Sequence, residues 1–379
     1  MRPRKSHTKS RRGCLECKRR HIKCDEKRPQ CSNCKRLAMK CMWSSLPARP
    51  NISSKPLAAK TLGIVHSFNS ISTSLKDDST VLGQLAIRDL KLLHHFSIAT
   101  YATLDTVVAQ QRIWQEDVIQ MGFQYPFVLR GILAISALHL ATLSSTLSTD
   151  LLIQASTQHN RALGDFRTTL ININESNCTP LFAISCLTVV HAFAVAQIQT
   201  TQDPVADILN CLHLIRGVNS VLQPYWPKLM ASELSPRLDN GWRRGVAGEV
   251  PEILRLKVLV NSLPNLDNGI TNTAYMQAIE QLHVVFLEVM TSDENRSDLA
   301  LLFTWPITLS EKFLTLLSSR QPVAMIILAH FVAFLHYKKS YCWWLSQSNK
   351  HIINAINVSL GFNYREWLSW PKQICKIVM

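Results

Sequence analysis

CLECKRRHIKCDEKRPQCSNCKRLAMKC, residues Cys14 to Cys41, holds six of the chain's eleven cysteines and fills the gaps between them with lysine and arginine. The spacing is Cys14-x2-Cys17-x6-Cys24-x6-Cys31-x2-Cys34-x6-Cys41, so one half-unit, C-x2-C-x6-C, is written twice, seventeen residues apart. The repeat predicts two equivalent halves related by a pseudo-twofold axis. A C-x2-C step lets two thiolates bind one ion, and structural zinc takes four such ligands in a tetrahedron. Two four-coordinate ions need more ligand positions than six sulfurs supply, so two thiolates must bridge. Equivalence of the halves leaves Cys14 with Cys31, Cys17 with Cys34, or Cys24 with Cys41 as the bridging pair. His21 is the one rival ligand, but it lies within a basic run and the hexad is complete without it.

Charge is concentrated in the same region. Residues 1–50 carry sixteen Lys and Arg against Glu16, Asp25 and Glu26, which is +13 of the chain's formal +15. A positive head on a nearly neutral body is the electrostatic footprint of a polyanion-binding protein, because solubility alone is served by dispersed charge. The start, MRPRKSHTKSRRG, has no apolar segment of the kind a secretory signal requires, which implies a reducing compartment where metal binding is favoured over disulfides. A segment this short buries too little to fold by itself, so the metal must supply its folding energy. The run Lys18-Arg19-Arg20-His21-Ile22-Lys23 contains neither Gly nor Pro and is expected to form a short helix pinned by ligands at both ends. One helix face cannot aim all five basic residues at base edges, so some must meet phosphate, where they add affinity and position without sequence information.

These six spacings, with Pro29 between the halves and the basic run after the second cysteine, resemble the fungal Zn2Cys6 binuclear-cluster transcription regulators. The resemblance implies two Zn2+ ions bound by Cys14, Cys17, Cys24, Cys31, Cys34 and Cys41, with Cys14 and Cys31 bridging. It implies a nuclear protein that binds double-stranded DNA through Lys18, Arg19, Arg20, His21 and Lys23. Within that set Arg20 and His21 match the positions that reach bases, typically in a CGG triplet, while Lys18 and Lys23 match phosphate contacts. Arg20 suits guanine because its planar fork donates to O6 and N7 together. His21 departs from the more common Lys or Arg, and imidazole offers fewer donors.

The basic arm, 1–13, and the cluster module, 14–43, are followed by SSLPARPNISSKPLAAK and then SFNSISTSLKDDST, read together as a linker over 44–80. No heptad pattern runs through it, so dimerisation by a coiled coil is not supported, and the oligomeric state is left open. The remainder, 81–379, reads as helix after helix. The expected spans are Leu85–Leu104, Tyr125–Thr142, Leu151–Ile173, Leu181–Gln199, Val205–Leu222, Thr273–Met290, Val323–His336 and Cys342–Leu360. The fold class is therefore mainly α: a small cluster module, a flexible linker and a large irregular all-α regulatory domain.

Three apolar stretches, Pro126–Leu143, Leu181–Ile198 and Val323–Leu335, approach membrane length; each carries a His or Arg, and all are read as buried helices rather than spans. The stripe Leu152, Ala155, His159, Ala162, Phe166, Leu170, Ile173 is read as core-facing. Trp343, Trp344, Trp367 and Trp370 are read as core packing. Cys178, Cys186, Cys211, Cys342 and Cys375 are read as buried small hydrophobes, and His94, His95, His139 and His330 as satisfied core histidines. No nucleophile elbow, phosphate loop, dinucleotide fingerprint or zincin motif occurs, so no catalytic residue is assigned and the chain is read as a non-enzyme.

The body carries a second resemblance. LLHHF from Leu92, YPFVLRGILAISALHLA from Tyr125, HNRALGDFR from His159, Trp305-Pro306, AMIILAHFVAFLH from Ala324, Trp343-Trp344-Leu345 and Trp367–Pro371 are similar to the regulatory domain of sterol uptake control proteins. That likeness implies a helical domain with an apolar small-molecule pocket, contacts with the transcription machinery, and control of sterol, lipid or secondary-metabolite genes. The competing class is a zinc-stabilised protein-interaction module, or a ligand-sensing helical protein, that never reads DNA. The density of like charge within the cluster argues against it.

Overall fold

The computed structural model describes residues 14–20, 22–37, 39–41, 87–144, 148–199, 201–235, 248–264, 269–290, 301–337, 342–345 and 348–377. The basic arm and the linker expected over 44–80 lie outside these residues. Contacts divide the chain into two units, one within 1–79 and one within 80–379. Among the described residues every regular element is a helix or helical turn.

The first unit holds α1 (Leu15–Arg19) and α2 (Ser32–Arg36), two short helices seventeen residues apart, as the repeat requires. Its interior consists of cysteines: Cys14, Cys17, Cys24, Cys31 and Cys34 are buried and Cys41 packs against them. The helix expected from Lys18 to Lys23 is displaced. It starts at Leu15 and ends at Arg19, Arg20 is a turn, and Lys23 lies outside any regular element. The chain must reverse there to bring Cys24 back to the sulfurs it left at Cys17, and Ile22 N–H closes the turn on the Cys17 carbonyl at 3.1 Å.

The second unit begins with α3 (Ile87–His95), continued by a π turn over Phe96–Thr100 and a 3-10 turn over Tyr101–Thr103. The single helix expected over Leu85–Leu104 is thus broken in winding, and a side chain of α6 contacts it one turn earlier. Ser136 Oγ donates to the Leu92 carbonyl at 2.6 Å, the carbonyl that an uninterrupted α-helix gives to Phe96, and the π turn starts at Phe96. Next come α4 (Val108–Arg112), a π turn Ile113–Asp117, α5 (Val118–Gln124), α6 (Pro126–Leu143), α7 (Thr149–Leu170), α8 (Cys178–Ile198), α9 (Pro204–Leu222) and α10 (Trp226–Met230). The C-terminal part has α11 (Pro251–Asn261), α12 (Ile270–Met290), α13 (Thr304–Thr308), α14 (Glu311–Ser318), α15 (Pro322–Tyr337), α16 (Ser348–Leu360) and α17 (Ser369–Ile374).

Capping explains several starts. Asp203 accepts from Ala206 N–H at 3.1 Å with Pro204 in the first turn of α9, and Ser310 accepts from Phe313 N–H at 3.3 Å ahead of α14. Sequence patterning missed α4, α5, α10, α11, α13, α14 and α17. They are short, and such helices are held by packing rather than by their own periodicity. The span expected over Cys342–Leu360 divides into a 3-10 turn, Trp343–Leu345, and α16. The two indole N–H groups account for the turn: Trp343 donates to Thr103 Oγ1 at 3.1 Å and Trp344 to the Thr103 carbonyl at 3.0 Å.

Two helices organise the body. α6 packs against α3, α5, α7 and α8, and α15 packs against α11, α12, α14, α16 and α17. By length and hydropathy Pro126–Leu143, Cys178–Ile198 and Pro204–Met230 could each reach across a bilayer; in the fold α6 and α8 lie largely buried against their neighbours. At Gly131 the α6 backbone approaches α8 so closely that a Cβ would stand 2.4 Å from Ile184 Cδ1. Farther along, Trp305 stacks on Phe331 with ring centroids 4.5 Å apart, and Phe286 on Phe334 at 3.7 Å.

The core-facing stripe is as expected. Ala155 and Ala162 are fully buried, and Leu152, Phe166, Leu170 and Ile173 pack against the core. Cys178, Cys211, Cys342 and Cys375 are buried and Cys186 is half-buried. His139 Nδ1 pairs with Thr100 Oγ1 at 2.9 Å and His330 Nδ1 with the Ile326 carbonyl at 2.8 Å. His94 and His95 depart from that reading: His94 is exposed, on the face of α3 opposite Leu92, and His95 is half-buried with no hydrogen-bond partner for its Nε2 among the described residues.

Candidate metal centre and nucleic-acid interface

The six sulfurs of the first unit form two overlapping sets, Cys14, Cys17, Cys24, Cys31 and Cys14, Cys31, Cys34, Cys41, each with its sulfurs within 4.8 Å of one another. Cys14 and Cys31 belong to both. A tetrahedron whose corners lie about 2.3 Å from a central zinc has edges of about 3.8 Å. Here Cys14 Sγ stands 3.7 Å from both Cys31 and Cys34, and Cys17 Sγ stands 3.6 Å from Cys31. The sulfurs therefore fit two zinc tetrahedra joined along the Cys14–Cys31 edge.

The backbone repeats the symmetry bond for bond. Cys17 N–H donates to Cys14 Sγ and Cys34 N–H to Cys31 Sγ, both at 3.4 Å. Cys14 N–H donates to Cys24 Sγ and Cys31 N–H to Cys41 Sγ, again at 3.4 Å. Ile22 and Met39 N–H groups close equivalent turns on the Cys17 and Cys34 carbonyls. Such donors stabilise thiolate over thiol. Burial pushes the Cys34 thiol up to about 12 and raises Cys17 as well; at Cys31 burial acts the same way, but the Cys34 N–H and the Cys34, Cys17 and Cys14 side chains outweigh it and bring the thiol to about 6. Metal must displace protons from most of these sulfurs in order to bind.

Around this centre the surface is basic. Arg19, Arg20 and Lys23 are exposed, as are Lys27, Arg28, Lys35, Arg36 and Lys40. His21 and the Lys18 side chain lie outside the described residues. Arg19 is tied to Glu16, with Nη2 to Oε1 at 2.8 Å and Nε to Oε2 at 3.2 Å, and that bond holds the Glu16 carboxyl below its ordinary value. Arg20 Nη1 reaches the Met39 sulfur at 3.4 Å. Asp25 has a structural role, since both its carboxylate oxygens accept from Ser32 N–H at 3.2 Å, at the start of α2. Sequence reasoning overlooked Lys35 and Arg36, although the repeat signals them, since Cys34-Lys35-Arg36 restates Cys17-Lys18-Arg19.

A paired sulfur cage that fits two zinc ions, flanked by short basic helices, defines a zinc-cluster nucleic-acid-binding module. Comparison with known proteins agrees: residues 12–50 match the fungal Zn(2)-Cys(6) binuclear cluster domain, which binds two zinc ions. Over 99% of its length, and 87% of the relative's, the chain is 27% identical to a Zn(2)-C6 fungal-type transcription factor of Gibberella zeae. It is 25% identical to the Zn(2)-C6 fungal-type transcription factor afumD of Aspergillus fumigatus over 86% of each chain. Sterol uptake control protein 2 of Saccharomyces cerevisiae is 25% identical over 68% of this chain but only 28% of its own length. Residues 12–50 thus carry a fungal-type zinc-cluster domain, and the relatives matched over most of the chain are named transcription factors, which supports DNA-binding transcription regulation over catalysis.

Proposed function

We propose that this protein is a nuclear, sequence-specific regulator of RNA polymerase II genes that reads a CGG-like element through Arg20 and His21. The six cysteines ligate two zinc ions with Cys14 and Cys31 bridging, and Lys18, Arg19 and Lys23 complete the DNA face. The observation that carries this reading is the difference between the two halves. Under the seventeen-residue repeat Arg20 and His21 correspond to Leu37 and Ala38, whereas Lys18 and Lys23 correspond to Lys35 and Lys40, so both halves offer lysine to phosphate but these two polar readers occur in the first half alone. Arg20 is the guanine reader because its fork matches O6 and N7.

Control of sterol or lipid genes is suggested by the relatives named sterol uptake control proteins, and control of secondary-metabolite genes by the resemblance that the body's motifs carry. The helical body supplies contacts to the transcription machinery and a site for an apolar ligand. The cleft between α8, α9 and α16, with Phe193, Ile208 and Ile352 as its apolar wall and Asp207 and His351 at its polar edge, encloses about 60 Å³, so a ligand of that kind requires the body to open further.

A binding titration over single-base variants of a site selected from random DNA tests the proposal. Arg20→Ala loses about 1 to 3 kcal/mol of discrimination at one guanine, whereas Lys23→Ala weakens every sequence alike and flattens the salt dependence by about one counterion. Equal losses on all variants for both mutants would overturn the assignment.

A further inference from the structure

Three acidic residues stand in the positive head, and two have accounts outside DNA binding: Asp25 caps α2, and Glu26 turns at φ 57° to give its N–H to Cys24 Sγ. Glu16 remains, a carboxylate on the one helix of the first half, where a polyanion is expected to dock. Its side chain is only 16% exposed and it holds the guanidinium of Arg19, itself 73% exposed, through two hydrogen bonds. The repeat supplies an internal control. Glu16 corresponds to Asn33 and Arg19 to Arg36. Asn33 Nδ2 donates to the Lys23 carbonyl at 2.8 Å, and no ion pair is formed by Arg36 among the described residues. The two helices thus carry the same Cys-Lys-Arg, with a carboxylate on the arginine in the first half alone.

The consequence is chemical. A carboxylate beside a guanidinium cancels the net charge that attraction to phosphate depends on. It occupies the Nε and Nη2 side and leaves the Nη1 end of the fork open, and those donors are what a neutral guanine edge accepts. An arginine meant for phosphate can meet it from several directions, whereas one meant for a base edge must reach O6 and N7 at fixed positions and gains more from being held. We infer that Arg19 is a second base-reading residue, aimed at a guanine by Glu16, and that Glu16 is a specificity-determining positioning residue. This inference rests on the reading of the module as a sequence-specific DNA binder.

The test uses the full zinc-loaded chain on its selected site, on every single-base variant and on unrelated duplex, across a range of salt. Arg19→Ala is expected to lower discrimination at one guanine, distinct from the one lost in Arg20→Ala, by on the order of tenfold, with the salt slope unchanged. Arg19→Lys, which keeps the charge and loses the fork, is expected not to restore it. Glu16→Gln is expected to tighten binding to unrelated duplex and steepen the salt slope by about one phosphate, while discrimination at that same guanine falls. Uniform weakening of all sequences by Arg19→Ala with a shallower slope would make Arg19 a phosphate contact and overturn the inference. So would loss of the two zinc ions in Glu16→Gln, which would assign that residue to folding. If the wild-type chain binds all duplexes alike, the function proposed above fails; if Arg20→Ala loses a guanine and Arg19→Ala does not, only this inference fails.

Discussion

At the residue scale, neighbouring arginines of one run have different roles. Arg19 is held by a carboxylate three residues earlier, and Arg20 lies against the Met39 sulfur, nineteen residues away in the other half. The first contact is legible from i, i+3 spacing on a helix; the second exists only because the metal-centred fold brings the halves together. In the body, Trp305 is the residue where packing and polarity coincide. It is fully buried, it stacks on Phe331, and its indole N–H donates to the Ala278 carbonyl at 2.9 Å. Trp305→Ala removes that volume and leaves the Ala278 carbonyl short of a partner, and should cost about 3 to 5 kcal/mol, read as a shift in the denaturant midpoint of the body's helical signal.

At the element scale, the sulfur cage is the core of the first unit, and α1 and α2 are too short to persist without it. Because burial raises Cys17 and Cys34, zinc binding releases protons, so apparent zinc affinity should rise with pH and the ions should leave as pH falls. Competition with a chromophoric chelator at several pH values measures this; an affinity independent of pH would contradict it. Removing zinc with excess chelator should abolish DNA binding and leave most of the helical circular dichroism intact, since nearly all described helix belongs to the second unit. At this scale the longer helices were legible because each carries a long apolar face. The change of winding after α3 was not, because the apolar pattern runs unbroken through Leu92, Leu93 and Phe96 and marks no break there.

At the scale of the whole molecule, three buried imidazoles and a half-buried one couple the body to pH. Burial lowers His139, His159 and His330 to about 4, and lowers His191 well below its ordinary value. His159 and His191 stack with ring centroids 3.6 Å apart, bridging α7 and α8. In the unfolded chain these groups titrate near pH 6.5, so below that the unfolded state binds more protons than the native one. Stability should therefore be flat above about pH 6.5 and fall steadily toward pH 4, more steeply than one site allows. Melting temperature across that range checks it, and His191→Phe should flatten the slope.

The sequence by itself determined the metal centre and the helical class. Ligand number, the seventeen-residue repeat and apolar periodicity are all local properties of the chain. Only the tertiary structure decided which sulfurs share both cages, where α1 ends, that Arg20 meets Met39, and that His94 faces outward while His139 finds Thr100. Each of these depends on partners distant in the chain, which no spacing rule encodes.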